Sequence, residues 1–205
     1  MNRAQGATAV NPFSTSRVRP GAMDYLFPPG ENLAILVERL AANGWRGQIT
    51  GAHGTGKSTL LACLIPALRA AGRRPLPAVL RDGMRRLPEE ISAAADVDQR
   101  AIFVVDGYEQ LGPAARRKLA RWCRRDGCGL LVTAHASVGL PPLFHAAADP
   151  RRVRLLVERL LSGYDERIEA DLIERCLLAH RGNVRETFFA LYDHFERRNA
   201  NVTRG

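Results

Sequence analysis

Residues 51–58 carry three glycines, a lysine and a serine at the spacing G-x-x-x-x-G-K-[ST]. Glycine lets the main chain approach phosphate oxygens closely and adopt positive φ. When a helix follows, its first amide groups point at the anion. Lys57 would then reach the β- and γ-phosphates of a nucleotide, and Ser58 would ligate Mg²⁺. The pattern predicts a phosphate-binding loop for a nucleoside triphosphate, with a glycine-rich surface turn as the alternative.

The residues on both sides supply the elements that such a loop needs. Residues 45–50 can form a strand, and residues 59–64 are an apolar run of helical character. Strand, glycine-rich turn and helix start follow one another in the required order. We therefore expect the phosphates to contact the loop and the first helical turn, through Gly51, His53, Gly54, Thr55, Gly56, Lys57, Ser58 and Thr59.

A candidate metal ligand, Asp106, follows the apolar run of residues 102–105. A strand without polar side chains is typical of a parallel sheet that helices cover on both faces. At the C-terminal end of that strand, a carboxylate can hold Mg²⁺ directly or through water. The sequence therefore predicts Ser58 and Asp106 as the metal-associated residues. A strand-end capping role for Asp106 is the alternative.

Hydrolysis of a triphosphate requires a group that orients or deprotonates the attacking water. Glu109 lies three residues after Asp106, and Gly107 permits the turn that would return it to the site. Thr133 ends another predicted strand and could contact the γ-phosphate or the water. His135, in the same loop, could take that part instead. The alternatives are a solvent-exposed glutamate, an ordinary strand threonine and an incidental histidine.

Composition fits one globular domain with a small appendage. The chain has 205 residues, of which 46% are hydrophobic, and a formal net charge of +9. Nearly all of the positive charge is arginine, as codon bias in a GC-rich genome would produce. The charge by itself is therefore weak support for nucleic-acid, membrane or acidic partners. Lys57 and Lys118 are the only lysines, so a lysine in the loop is consistent with a compact, flexible charge being needed there.

The four cysteines indicate neither a disulfide framework nor a zinc site. Cys123 and Cys128 have no second Cys or His pair at zinc spacing. Cys63 and Cys176 lie in apolar helical patterns, which predict core positions. No apolar run approaches about 18 residues, and no N-terminal stretch is similar to a signal peptide. We therefore expect a cytoplasmic protein without a membrane span.

Strands alternate with helices along residues 31–161, which predicts a three-layer α/β fold with a parallel sheet of about five strands. The predicted strands are residues 45–50, 78–80, 101–105, 129–133 and 153–157. The predicted helices are residues 31–42, 59–71, 88–95 and 113–125. Pro66 should kink or shorten the second of these helices, and Gly72 should end it.

The two ends of the chain differ from this core. Residues 1–30, rich in proline, glycine, serine and threonine, are expected to form an irregular arm. Its apolar anchors are Phe13, Val18, Tyr25 and Phe27. Residues 162–205 are helical in pattern, and Gly182 separates two helices there.

Each of these two C-terminal helices has an apolar stripe. The first stripe comprises Ile168, Leu172, Cys176 and Ala179. The second comprises Val184, Phe188, Leu191, Tyr192 and Phe195. Asn183 with Glu186 predicts a capping box at the start of the second helix.

Together these motifs resemble those of the AAA+-like ATPases, in the additional-strand class of P-loop proteins, over residues 31–198. The resemblance implies a Walker B role for Asp106 and a sensor 1 role for Thr133. Residues 182–186 are similar to the sensor 2 segment that opens a helix of the family's small lid domain, which implies a γ-phosphate contact for Arg185. Its guanidinium could present a fork to phosphate from the first helical turn. An exposed helix-start arginine is the alternative.

The resemblance also implies an adenine site, in which Tyr25 and Phe27 could contact the base. It divides the chain into an arm of residues 1–30, an ATPase core of residues 31–161 and a helical lid of residues 162–205. Two features depart from the family pattern. Asp-Gly-Tyr-Glu replaces the usual acidic pair, and no arginine finger is evident, although Arg151 and Arg152 precede the predicted fifth strand.

The expected activity is Mg²⁺-dependent ATP hydrolysis that switches conformation or the binding of an unknown protein partner. A small-molecule P-loop kinase is one alternative, because several polar residues follow the second strand, where such kinases hold an acceptor: Arg81, Asp82, Arg85 and Arg86. A module that binds ATP without hydrolysing it is another. A GTPase is excluded, because neither lysine lies in an Asn/Thr-Lys-x-Asp sequence.

Nucleic-acid binding is a separate expectation. Four arginines lie along one side of the helix predicted at residues 113–125, namely Arg117, Arg121, Arg124 and Arg125. Such a face can contact phosphates in a salt-dependent manner. A solvated arginine face is the alternative.

Overall fold

The computed structural model describes residues 10–89 and 97–202. Contacts divide these residues into two compact units. Residues 24–147 form the sheet unit, and residues 10–23 with 148–202 form the helical unit. The boundaries expected near residues 30 and 161 concern functional domains and stay a prediction.

The elements are numbered in chain order within the described ranges. The helices are α1 (Thr15–Val18), α2 (Leu33–Ala42), α3 (Lys57–Ala70), α4 (Pro113–Asp126), α5 (Pro150–Leu160), α6 (Ala170–Ala179) and α7 (Val184–Val202). The strands are β1 (Arg46–Thr50), β2 (Arg74–Val79), β3 (Ala101–Asp106), β4 (Gly129–Ala134) and β5 (Pro142–His145). A 3₁₀ turn, Tyr108–Gln110, follows β3. The helix predicted at residues 88–95 falls largely on residues 90–96, outside the described part of the chain.

The five strands form one parallel sheet in the order β2-β3-β4-β1-β5. Strand β4 lies between β1, which leads into the glycine-rich loop, and β3, which ends at Asp106. Its register pairs Ile49 with Thr133 and Val105 with Val132. This strand between the loop strand and the acidic strand is the additional strand that the sequence resemblance implied. The prediction of a parallel sheet of about five strands is confirmed.

Helices cover both faces of the sheet, and strand β3 shows how. Ile102 and Val104 pack into a core with α2 and α3, whereas Phe103 and Val105 pack on the opposite face with α4. All four side chains are at most 1% exposed. Burial of an apolar side chain of this size stabilises a fold by about 1.5–3 kcal/mol. A strand without a polar face is therefore expected between two helical layers, and the three-layer prediction is confirmed.

The prediction of a fifth strand at residues 153–157 is wrong, because these residues belong to α5. The buried side chains of this helix are Val153, Val157 and Leu160, which repeat at helical spacing. The helix begins after Asp149, whose side chain accepts a hydrogen bond from the N–H two residues later.

The fifth strand is instead β5, which pairs with β1 at the edge of the sheet. Its first residue, Pro142, has no N–H to contribute to a ladder. Proline is tolerated at the start of a strand and on sheet edges, where that missing donor costs little. The four residues of β5 are too few, and their first too atypical, for a sequence pattern to indicate a strand.

Strand β2 starts at Arg74, earlier than the predicted residues 78–80, and includes Pro75 and Pro77. The Arg74 N–H donates to the Arg100 carbonyl, so this residue faces the neighbouring strand. Because hydrogen-bonding groups alternate along a strand, the two proline nitrogens face the open edge of the sheet, where no partner strand needs an N–H.

Helix α3 runs four residues past Pro66, so the expectation that this proline shortens the helix is wrong. Pro66 is exposed, whereas Leu64 and Leu68 on either side are fully buried and hold the helix against the core. The helix ends as predicted at Gly72, which has a φ of 75°. The N–H of Arg73 then donates to the Leu68 carbonyl and completes a left-handed cap.

The helical unit has its own core, formed by α5, α6 and α7 with the N-terminal segment. Phe13, one of the predicted anchors of the arm, is fully buried, and its ring centroid lies 6.2 Å from that of Phe188. At the start of α7, the Asn183 side chain accepts a hydrogen bond from the Glu186 N–H, as the predicted cap requires. Tyr192, predicted on the apolar face, is 36% exposed.

The cysteines of the described chain are free thiols. Cys123 and Cys128 are buried, at the end of α4 and just before β4. Cys63 and Cys176, which the sequence placed in the core, are only partly buried.

Candidate functional site

The glycine-rich loop lies between β1 and α3, as its motif requires. Gly56 caps the helix with a φ of 90°, and Gly54 has a φ of 70°, so both occupy the left-handed region that favours glycine. A Cβ on Gly51 would lie 2.2 Å from the Ala146 carbonyl oxygen, which leaves no room for a side chain. The first helical bond runs from the Leu60 N–H to the Gly56 carbonyl. The preceding amides of α3 therefore have no acceptor within the helix and face the loop end as donors.

Lys57 lies folded against the loop and is only 8% exposed. Its Nζ donates to the carbonyl oxygens of Gly51 and Ala52, each at 2.7 Å. The Thr55 hydroxyl donates to the same Ala52 oxygen at 2.9 Å. The ammonium group is thus held at the centre of the loop, where the oxygens of a phosphate would offer charged acceptors in place of carbonyls.

Asp106 and Thr133 form a hydrogen-bonded pair at the C-terminal edge of the sheet. The Thr133 hydroxyl donates to Asp106 Oδ1 at 2.5 Å and accepts from the Gly107 N–H at 2.9 Å. Gly107 has a φ of 81°, and a Cβ there would lie 2.9 Å from the Leu80 carbonyl oxygen, so this turn requires glycine. Since adjacent strands are about 4.8 Å apart, the ends of β1 and β3 are separated by about 10 Å, with Thr133 between them.

Glu109 lies in the 3₁₀ turn that follows this pair. Its main-chain carbonyl accepts a hydrogen bond from the Arg116 guanidinium at 2.7 Å, which fixes the turn to α4. Its Oε1 lies 3.2 Å from His135 Nε2. Its Oε2 is buried and has no hydrogen-bond partner among the described residues. The prediction that Gly107 would turn Glu109 back toward the loop is consistent with these contacts.

A histidine pair connects Glu109 to the glycine-rich loop. The His135 ring centroid lies 3.7 Å from that of His53, with 50° between the ring planes. His53 comes from the loop and His135 from the residue directly after β4, so a contact chain runs from the loop to Glu109. Sequence reasoning considered His135 only as a substitute for Thr133. Its position one residue after a buried strand was the feature that could have indicated more.

The surroundings of His135 lower its pKa below the ordinary value, chiefly because burial disfavours the charged imidazolium. The nearby charges of His53 and Lys57 act in the same direction. Glu109 and Asp82 oppose the shift, because a negative charge favours the protonated ring. His135 is therefore a neutral imidazole at neutral pH.

An aromatic cluster lies beside the start of α3. Tyr25 packs edge-to-face on Phe27, with ring centroids 5.1 Å apart, and on Phe144, with centroids 5.8 Å apart. A Cβ on Gly56 would lie 3.2 Å from the Tyr25 ring, so this ring covers the helix cap. The structure thus brings Tyr25 to the loop, and Phe27 packs against Tyr25. Sequence reasoning missed Phe144, because it missed the strand β5 that carries it.

The donor set at the sheet edge suits Mg²⁺, which prefers hard oxygen ligands and is bound in nucleotide sites by few protein groups together with phosphates. Ser58 lies in the first turn of α3 and supplies a hydroxyl, and Asp106 supplies a carboxylate. Among residues 10–89 and 97–202 there is no cluster of three or more His, Cys, Asp or Glu side chains that could hold a metal without phosphate.

The remaining predicted site residues belong to the helical unit. Arg185 is exposed in the first turn of α7. Arg151 and Arg152 lie in the first turn of α5, where Arg152 Nε is 3.4 Å from Asp149 Oδ2. A γ-phosphate contact of Arg185 and a finger role for Arg151 or Arg152 stay predictions. None of the described helices is long and apolar enough to cross a membrane.

Comparisons with known proteins find similarity in structure and not in sequence. No protein-family model matches the chain, and no curated protein matches it in sequence. RuvB of Thermotoga maritima, described as a Holliday junction branch migration motor, superposes with a TM-score of 0.58 at 17% identity over 83% of this chain and 61% of RuvB. AMPPCP-bound DnaA of Aquifex aeolicus superposes with a TM-score of 0.53 at 18% identity over 88% of this chain and 68% of DnaA.

A replication initiator DnaA bound to AMPPCP and single-stranded DNA is similar to the same extent, with a TM-score of 0.54 at 17% identity over 86% of this chain and 67% of that one. The chain spans about three fifths of the length of the RuvB structures that it matches. At such low identity the likeness concerns the fold. The described chain has a three-layer parallel α/β fold similar to that of RuvB and DnaA.

Proposed function

We propose that this protein binds ATP with Mg²⁺ and hydrolyses it, and that hydrolysis switches its conformation or its contact with a partner. The observation that carries the proposal is the buried Lys57 ammonium, held inside a glycine-rich loop at the same sheet edge as Asp106. A buried ammonium that donates to carbonyl oxygens gains stronger, charge-assisted hydrogen bonds when phosphate oxygens replace them. The AMPPCP-bound DnaA neighbour, which has the same fold, supports ATP as the nucleotide.

Binding then uses the loop from Gly51 to Thr59. The unbonded amides of the first turn of α3 donate to the β-phosphate, and Lys57 Nζ moves from the loop carbonyls to the β- and γ-phosphates. The Ser58 hydroxyl and the Asp106 carboxylate would hold Mg²⁺, which would neutralise charge on the phosphates when bound. Tyr25, whose ring covers the helix cap, and Phe27, which packs against Tyr25, would contact the base.

Hydrolysis uses Glu109 as the group that accepts a proton from water. A hydroxyl has one proton, and that of Thr133 is donated to Asp106. We therefore assign Thr133 as a positioning residue for Asp106. The predicted contact of Thr133 with the γ-phosphate or the attacking water stays a prediction. Arg185 remains the proposed sensor of the γ-phosphate.

We further propose single-stranded nucleic acid as a partner, in addition to an unknown protein. Arg117, Arg121 and Arg124 are exposed on one side of α4, and none of the three forms an ion pair within the described chain. No acidic residue occurs between residues 113 and 125, so the face has no internal counter-charge. The DnaA neighbour that was solved with single-stranded DNA supports this class of partner.

The decisive experiment compares the Glu109→Gln variant with the wild type. Glutamine keeps the shape of the side chain and cannot accept a proton, so turnover should fall by about 100-fold or more while ATP affinity is retained. Phosphate release measures turnover, and calorimetric titration with ATP and Mg²⁺ measures affinity. As a matched control, Glu89→Gln removes an exposed carboxylate from the same unit and should change neither quantity.

Three outcomes separate the alternatives. Absence of ATP binding by the wild type would contradict the whole proposal. Binding without turnover, in wild type and variant alike, would favour the module that binds ATP without hydrolysis. ADP release that depends on an added small-molecule acceptor would favour the kinase.

A further inference from the structure

We infer that His135 is a positioning residue for Glu109: it holds one carboxylate oxygen so that the other oxygen receives the proton of the attacking water. This inference rests on the proposed ATPase function and adds the residue that orients its base. It also gives a role to His53, a loop position that the G-x-x-x-x-G-K-[ST] motif leaves unspecified.

The two oxygens of Glu109 differ in their surroundings. Oε1 lies 3.2 Å from His135 Nε2, within reach of a hydrogen bond. Oε2 is buried without any hydrogen-bond partner among the described residues. A buried carboxylate oxygen without a donor is unfavourable, and native structures retain such groups mainly where a ligand, water or reaction supplies the missing partner.

The partner also determines which imidazole nitrogen carries the proton. A carboxylate oxygen only accepts hydrogen bonds, so a neutral His135 must have its proton on Nε2 to bond Oε1. The Nε2 of His135 is therefore a donor and is not available as a base. The two oxygens therefore have different roles. Oε1 accepts from His135, and Oε2 is left to accept a proton from water.

The main chain of Glu109 is held as firmly as its side chain. Its carbonyl accepts from the Arg116 guanidinium, and the Tyr108 ring beneath that guanidinium is buried. With the backbone fixed to α4 and Oε1 fixed to His135, the remaining freedom of the carboxylate is small. Orientation of this kind contributes to the rate because the reacting groups need no further ordering.

His53 supports His135 from the loop side. Its ring contacts the His135 ring at a centroid distance of 3.7 Å, so the imidazole cannot swing toward the loop without moving His53. The groups that surround His135 electrostatically are His53 and Lys57 from the loop and its helix, Glu109 from the 3₁₀ turn and Asp82 from the segment after β2. These contacts tie the position of the base to the conformation of the phosphate-binding loop.

Protonation of His135 should make ATP turnover depend on pH. Burial lowers the pKa of His135 below 6.5, so the ring is neutral near neutral pH and becomes charged in mildly acidic solution. An imidazolium binds Oε1 more strongly and makes Glu109 a weaker base. Turnover should therefore fall as the pH falls through the pKa of His135.

The test compares His135→Ala and His135→Gln with the wild type. Alanine removes the donor, and kcat should fall by about 10-fold or more with KM for ATP changed by less than about 3-fold. Glutamine restores an N–H donor that does not titrate, so it should recover most of kcat and shift the acidic limb of the kcat profile. His145→Ala is the matched control, because this second imidazole bonds Thr50 at the same sheet edge and should leave kcat unchanged.

The outcomes distinguish this inference from the proposed function. If the wild type hydrolyses ATP and Glu109→Gln abolishes turnover while His135→Ala does not lower kcat, the positioning role is wrong and the ATPase stands. The role is also wrong if His145→Ala lowers kcat as much as His135→Ala, or if glutamine fails to restore kcat in a variant whose melting temperature equals that of the wild type. Lack of turnover in the wild type would overturn both.

Discussion

The Thr133 hydroxyl makes two hydrogen bonds at a site that is 1% exposed, and both concern the residues around the acid at the end of β3. It donates to Asp106 and accepts from the Gly107 N–H. A side chain of the same shape without the hydroxyl would leave the Gly107 N–H without this acceptor and would free the Asp106 carboxylate to rotate. The two hydrogen bonds, and not the preference of threonine for strands, therefore explain why threonine occupies this position.

The variant Thr133→Val tests this at the level of one atom. We expect the free energy of unfolding to fall by about 1–3 kcal/mol, because the part-buried Gly107 N–H loses its acceptor. We expect kcat to fall by about 10- to 100-fold, because Asp106 is no longer oriented. Urea unfolding and phosphate release measure the two quantities. Thr133→Ser keeps the hydroxyl and should retain both, and a Val variant with unchanged kcat would contradict the positioning role.

The candidate site also shows which single residues a sequence can indicate. Lys57, Ser58 and Asp106 have fixed spacing to glycines or to an apolar run, so local pattern was enough to identify them as candidates. The contact between His135 and Glu109 joins residues that are 26 positions apart, so no local pattern in the sequence predicts it. The contact exists because β4 lies beside β3 in the sheet, and the order of the strands cannot be read from local sequence patterns.

At the scale of elements, long runs with a clear period were predicted correctly and short or proline-containing ones were not. Strand β3 and helix α4 have unambiguous patterns, and their observed bounds differ from the predicted ones by one residue each. The strand predicted at residues 153–157 is part of helix α5, and strand β5 was not predicted. Residues 153–157 alone are too short a run for a period to tell a strand from a helix, and the Asp149 cap and the spacing of Val153, Val157 and Leu160 identify the helix.

The junction of α4 and β4 buries two thiols, and this has a consequence for stability. Burial raises the pKa of the Cys123 thiol far above its usual range, and the pKa of Cys128 is raised for the same reason. The folded protein therefore keeps these protons at a pH where the unfolded chain loses them. Since the unfolded state then binds fewer protons than the native state, the free energy of unfolding must decrease as the pH rises above the unfolded thiol pKa.

We expect the raised thiol pKa of Cys123 to lower the free energy of unfolding by about 2 kcal/mol between about pH 8 and pH 10. This value follows from an unfolded thiol pKa of about 8.5. Urea unfolding under reducing conditions at several pH values measures it. Cys123→Ala should be less stable than the wild type near neutral pH, because of the lost packing, and the difference should narrow as the pH rises. The control is Cys176→Ala, which removes a partly buried thiol of α6. The difference in free energy of unfolding between this variant and the wild type should narrow less as the pH rises. If the free energy of unfolding changed with pH in the same way for wild type and Cys123→Ala, the pH dependence could not come from the Cys123 thiol.

At the scale of the whole molecule, the excess of positive charge is unevenly distributed. The net charge is +9, yet α6 and α7 combine acidic and basic residues, whereas residues 113–125 of α4 contain no acid. Codon bias in a GC-rich genome would produce arginine in place of lysine at these positions. It does not explain why glutamate and aspartate are missing from one exposed helix face, and this asymmetry is the reason to assign nucleic acid to α4.

The variant Arg117→Glu/Arg121→Glu tests that assignment against a control of equal net charge, Arg175→Glu/Arg197→Glu, whose arginines are exposed on α6 and α7. Binding of a labelled single-stranded oligonucleotide is measured by fluorescence anisotropy over a range of salt concentrations. For single strands, log K falls with log salt by about 0.7 per phosphate contact, so the α4 variant should have a slope smaller by about 1.4 than the wild type.

The control variant should keep the wild-type slope and lose only a small, uniform amount of affinity, because charges that make no phosphate contact act only through a screened field. This comparison separates a located phosphate contact from the general attraction of a basic protein. Equal slopes for the two double variants would mean that α4 has no special part in binding, and a flat salt response of the wild type would exclude phosphate contacts on any face. ATP hydrolysis by the α4 variant in the absence of nucleic acid should remain at the wild-type rate, since neither of its substituted arginines contacts the residues assigned to the nucleotide.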